Sequence, residues 1–260
     1  MEPSRAPSYT EAPISPSVSN QRLSFLSLPP EIRIQIYDLL LVNYSQDSVD
    51  ITPSPVSLDS ICPISQKPKL HPALLQTCKQ ICNEAIPILY GTNRFHLINA
   101  DDISTISANL EHIRTLMIWV RWWSEPLPWV KTLHMLSEKA DRLSFLYLTW
   151  EREDLCKNGR ITAGGRGLGS NLNFVRALAT VRPLERMEIG GFYALHWPAY
   201  LSEAMGDLVQ VDTVSPGQSS WFCQLASNEQ HREWYLKELE EYQKGTEVLN
   251  PWALPDSAVI

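Results

Sequence analysis

Apolar positions recur along this chain with two different periods, and the change from one to the other divides it. In LSLPPEIRIQIYDLLL (26–41), Ile32, Ile36, Leu39 and Leu40 recur at helical spacing, while Arg33, Gln35 and Asp38 lie off that stripe. Pro30 fits the first helical position, where its missing N–H costs nothing, and Glu31 suits the positive end of the helix dipole. PALLQTCKQICNEAIPILYGTN (72–93) reads as a second helix with Leu74, Cys78, Ile81, Cys82 and Ala85 on one face. Pro87 is expected to kink or end it, and Gly91 to supply a stop.

From residue 93 the pattern changes. RFHLI (94–98), IRTLMIWV (113–120), LSFLYLTW (143–150), LERMEIGGF (184–192) and LVQVDTV (208–214) read as strands. Helical segments separate them at 101–112, 127–141, 170–181 and 198–206, the third capped by Ser170 or Asn171. Alternating strands and helices imply βα units and a mostly parallel sheet. IRTLMIWV and LSFLYLTW are apolar on both faces, as buried parallel strands are, whereas LERMEI alternates and is placed near an edge. The repeat is irregular, reminiscent of a leucine-rich-repeat arc without its tight period or Asn ladder. A charged helix over 228–245 follows, with Trp234, Leu236, Leu239 and Tyr242 as its packing positions.

The remaining stretches are low in apolar content. Residues 1–21 are rich in Pro and Ser and bury too little surface to offset the entropy of ordering, so a disordered tail is expected. A second Pro- and Ser-rich stretch, 43–72, is read as an insertion between the first two helices. The expected organisation is a tail (1–21), a helical module (22–92), a βα-repeat domain (93–215), and a C-terminal helix and tail (216–260).

Composition narrows the function classes. The 260 residues carry a net charge of −7, which disfavours general nucleic-acid binding. No window approaches the roughly 18 apolar residues of a membrane span, and the N-terminal stretch lacks the apolar core of a secretory signal. Five cysteines at scattered positions do not make a disulfide framework, which points to cytoplasm or nucleus.

Candidate chemistry is sparse. ITAGGRGLGS (161–170) echoes the glycine-rich turn of short-chain dehydrogenases, with Arg160 and Arg166 available to an anion. It follows the charged EREDLCKNGR instead of a buried strand, no tyrosine has a lysine four residues later, and Ala163 replaces the first glycine. A nucleotide- or small-molecule-binding enzyme using this loop therefore stays an alternative, with a plain surface loop beside it. Cys78 and Cys82 lie one helical turn apart near His71, but no second pair completes a zinc set, so both read as small apolar residues. The histidines occur singly and no nucleophile motif is present. No catalytic residue, metal or cofactor is expected.

Together, FLSLPPEIRIQIYDLLL and LLQTCKQICNEAIPILYGTNRFHL resemble the F-box-like domain that opens many proteins of filamentous fungi. The resemblance covers about residues 23 to 98. It implies a helical F-box-like module, and in F-box proteins proper that module docks on the adaptor of a cullin–RING ubiquitin ligase while a downstream region selects a substrate protein. On that basis Leu28, Pro29, Pro30, Ile32, Ile36 and Leu40 are candidate adaptor contacts; otherwise the apolar ones are ordinary core. The fold expected is α/β, a helical F-box-like module followed by an irregular, leucine-rich-repeat-like βα region. Its function is then a non-catalytic interaction module, a substrate receptor or, alternatively, a scaffold with no ligase link. Three strand exits place aromatic beside charged or turn-forming residues: Arg121, Trp122 and Trp123; Trp150 and Arg152; Phe192 and Tyr193. In parallel strands these exits lie side by side, so they are read as a partner-binding patch or as caps on the core.

Overall fold

The computed structural model describes residues 24–43, 49–50, 70–120, 124–150, 168–206, 209–214 and 229–252. Six strands form one sheet in sequence order: β1 (Val49–Asp50), β2 (Arg94–Leu97), β3 (Thr115–Val120), β4 (Phe145–Trp150), β5 (Arg186–Gly191) and β6 (Gln210–Val214). Every neighbouring pair is parallel. The helices are α1 (Pro30–Leu41), α2 (Lys79–Thr92), α3 (Ile103–Ile106), α4 (Pro126–Lys139), α5 (Leu172–Leu178), α6 (Trp197–Met205) and α7 (Glu229–Lys244). The α/β class and the parallel sheet expected from the alternation are present.

Strands laid down side by side in chain order, joined by right-handed crossovers, send their connections over the same face of the sheet. The core has that form. Leu116, Ile118 and Val120 of β3, Leu146, Leu148 and Trp150 of β4, and Met187 and Ile189 of β5 cluster with Trp129, Leu133 and Leu136 of α4, Phe174 and Leu178 of α5, and Trp197 and Leu201 of α6. The intervening residues point to the other face. There the register aligns His96, Met117, Tyr147, Glu188 and Asp212 across five strands.

Several expectations change in detail. β3 alternates buried with half-buried positions, so it is not buried equally on its two sides. β5 lies between β4 and β6, away from any edge; it alternates because Arg186 and Glu188 project to the face opposite the α3–α6 core, where Arg186 bridges Glu188 (2.8 Å) and Asp212 (3.0 Å). The segment expected as one helix at 101–112 is broken into a 3-10 turn, the short α3 and a second 3-10 turn. Pro87 sits inside α2, which runs on to Thr92. Within the stretch read as an insertion, Val49–Asp50 pairs with β2; two residues ahead of a proline-rich run carry too little period to reveal a strand. The tail at 1–21 and most of 43–72 lie outside the described residues.

The N-terminal helices and the sheet are joined at Asn93, only 2% exposed. Its amide nitrogen donates to the carbonyls of Leu41 and Leu89, each at 2.7 Å, and its amide oxygen accepts from the Asn43 backbone N–H at 2.8 Å. One side chain thus ties the ends of α1 and α2 to the stretch leading into β1. Helix α2 serves two neighbours: it packs on α1 and is also the crossover from β1 to β2, with Tyr90 stacked on Phe95 at 5.2 Å. Replacing Asn93 by Ala removes all three hydrogen bonds and strands buried carbonyls. We expect Asn93→Ala to lower the unfolding free energy by about 2 to 4 kcal/mol in urea titration; a loss well under 1 kcal/mol would show that the junction is held by other contacts.

Candidate interaction surface

Helix α1 starts at Pro30, which occupies its first position, with Glu31 in the first turn. The face it buries runs through Arg33, Tyr37 and Leu41. Arg33, which apolar spacing alone places off the stripe, is therefore at the centre of the contact with α2. Its Nε donates to Glu84 Oε2 at 2.9 Å and its Nη2 to Glu84 Oε1 at 2.7 Å. Its Nη1 donates to the carbonyls of Leu28 at 2.5 Å and Leu26 at 3.3 Å, fastening the turn before the helix. The Tyr37 hydroxyl donates to Glu84 Oε2 at 2.9 Å and Gln80 Nε2 to Glu84 Oε1 at 3.0 Å.

Four donors therefore converge on one carboxylate. Hydrogen bonds from Arg33 and then Gln80 hold the Glu84 carboxyl at about 2, far below its ordinary value. Burial, reinforced by Glu84, pushes the Tyr37 phenol up to about 12. Arg33 is raised by the same hydrogen bond. Around this polar centre Leu41, Ile81, Ala85 and Leu89 form a small apolar cluster, with Phe25, Leu40, Leu70, Leu74 and Cys78 packed on it.

The expected adaptor contacts fall on different sides of this arrangement. Pro29 and Pro30 are exposed, Ile32 is 41% exposed, and Leu28, Ile36 and Leu40 are half-buried. Leu40 belongs to the α1–α2 packing. Leu39, on the same outer side as Ile32, is 75% exposed. Positions 32, 36 and 39 recur at the i, i+4, i+7 spacing of one helix face, with Ile32 and Leu39 on its outer side and Ile36 at its inner edge, three residues from Arg33. Ile32 and Leu39 thus face outward, with Ile34 (46% exposed) on the opposite flank, while Arg33, Tyr37, Leu40 and Leu41 make the inner face.

The strand exits are arranged differently. Arg121, Trp122, Trp123 and Arg152 lie outside the described residues. Trp150, Phe192 and Tyr193 are 2%, 3% and 6% exposed, so they cap the core and offer no open surface, contrary to their reading as a patch. Trp150 meets Trp197, Phe174 and Tyr193 edge-on, with ring centroids 5.2, 5.9 and 6.3 Å apart. Phe192 packs edge-on against Tyr242 of α7 at 5.8 Å. The cause is local. Gly191 has φ of +84° and sits where an added Cβ would lie 2.1 Å from the Trp150 carbonyl oxygen, so the chain turns back over the core at once.

The glycine-rich segment has a similar structural use. Residues 161–167 lie outside the described residues, but Gly169 is placed: a Cβ there would be 1.8 Å from the Phe192 carbonyl oxygen, and its own carbonyl accepts from Ala194 N–H at 2.7 Å. The following helix, α5, is capped by Asn171, whose side chain accepts from Phe174 N–H at 3.0 Å. Close backbone packing thus accounts for this glycine without a phosphate. Cys78 and Cys82 are half-buried and free. Among the described residues no group of three or more His, Cys, Asp or Glu is placed to hold a metal ion, and no helix is long and apolar enough to cross a membrane.

Behind β5, the end of α7 and the turns after it fold over α6. The buried Thr246 hydroxyl accepts from Leu195 N–H at 3.2 Å, and Trp252 Nε1 donates to Glu203 at 2.7 Å. The spacing of α7 gives no warning of these contacts, because they are made by residues beyond its end. Residues 56–153 match the family described as a domain of unknown function (DUF7730), a span that includes α2 through β4. No curated protein and no solved structure matches the chain.

Two outcomes test this geometry. The carboxylate of Glu84 stabilises the fold fully above its unfolded value of 4.5, and that contribution is lost as pH falls through about 2. The stability gap between the native protein and Glu84→Gln should therefore be widest near neutrality and close between about pH 4.5 and 2. A gap independent of pH would contradict the ion pair. Gly169→Ala should sharply lower the melting temperature, whereas Gly91→Ala, whose Cβ meets only an ordinary 3.4 Å contact in a helix, should leave it level or raised. Equal effects would show that the approach of Gly169 to Phe192 is not tight in solution.

Proposed function

We propose that the protein is a non-catalytic interaction protein, an F-box-type receptor in which α1 docks on the adaptor of a cullin–RING ubiquitin ligase and the irregular βα array selects a substrate protein. The observation that carries this reading is the exposed pair Ile32 and Leu39, with the half-buried Ile36 between them, on a helix whose other face is fastened by Arg33 to Glu84. A rigid helix that leaves large aliphatic side chains in water has area to bury against another protein; a fully buried Ile or Leu contributes about 1.5 to 3 kcal/mol. The resemblance of residues 23 to 98 to fungal F-box-like domains names the adaptor as the first partner to try. The leucine-rich-repeat-like order of the sheet suits a receptor that holds its client on a separate face.

One observation favours the alternative of a scaffold with no ligase link. Helix α2 is the crossover of the first parallel pair and is tied to the sheet through Asn93 and Tyr90, so it belongs to the βα array as much as to a separate module. On that reading the stripe on α1 receives a different protein.

The double substitution Ile32→Asp and Leu39→Asp separates these readings. Both side chains are exposed, so the melting temperature should change little, each exposed substitution being worth about 0.5 kcal/mol or less. Binding to purified cullin adaptor, measured by titration calorimetry, should be present in the native protein and lost in the variant. No binding by the native protein would end the ligase reading and leave the scaffold. Undiminished binding by the folded variant would move the contact away from α1, and a collapse of the fold would mean that the stripe is core.

A further inference from the structure

We draw no further inference here: the strongest candidate, the face of the sheet around His96, Trp119, Tyr147 and Thr149, is largely buried although α3 to α6 pack against the opposite face, and nothing among the described residues shows what covers it.

Discussion

The pairing of Arg33 with Glu84 decides which way α1 faces, and the surface that the protein offers follows from it. A half-buried carboxylate is stable only if its lone pairs are satisfied. Here Arg33, Tyr37 and Gln80 satisfy them, and Arg33 also secures the carbonyls of the preceding turn. Rotating α1 to bury Ile32 and Leu39 would strand Glu84 and Arg33 together. A helix with apolar residues on several sides has more than one plausible way to pack; the polar clamp removes the ambiguity and leaves the aliphatic stripe outside. Specificity of orientation is the best-attested use of such a pair, whatever its net contribution to stability.

The sheet imposes a second constraint. Its strands follow one another in sequence order, and connections of one hand, the rule for parallel pairs, then gather α3 to α6 on one face. The two faces then diverge in chemistry, aliphatic and aromatic toward the helices, mixed and partly charged on the other. Toward the C-terminal end of the array, Tyr242 of α7 reaches back to Phe192, and Thr246 and Trp252 in the turns after it reach Leu195 and Glu203. At its N-terminal end α1 and α2 do the corresponding work, linked through Asn93. The N-terminal helices are therefore also the first layer of the βα array.

Most of this framework was legible in the apolar pattern. β2 to β6 and α1, α4, α5, α6 and α7 fall close to their expected ranges, because long periodic segments carry a strong signal; the helix expected from 72 instead begins as a 3-10 turn, Pro72–Gln76, and α2 starts at Lys79. What spacing could not reveal were features set by residues far apart. Arg33 looked like a solvent-facing charge because its partner is 51 positions away. For Phe192 and Tyr193 both a surface patch and a core cap stayed open, because nothing in GGFYALHW announces that Gly191 turns the chain inward at positive φ. Gly169, the one described glycine of the glycine-rich segment, packs closely against Phe192, a contact across 23 positions that no local motif encodes. β1 was hidden by its length of two residues.

The account stands on α1 meeting another protein through its outer stripe while its inner face stays closed on Glu84. Hydrogen–deuterium exchange of the native chain, with and without purified cullin adaptor at saturating concentration, tests this most directly. The account predicts slower exchange confined to the amides of residues 26–41, with α4, α5 and the strands unchanged. Protection that appears in the sheet or nowhere, with α1 exchanging at the same rate in both samples, would contradict it.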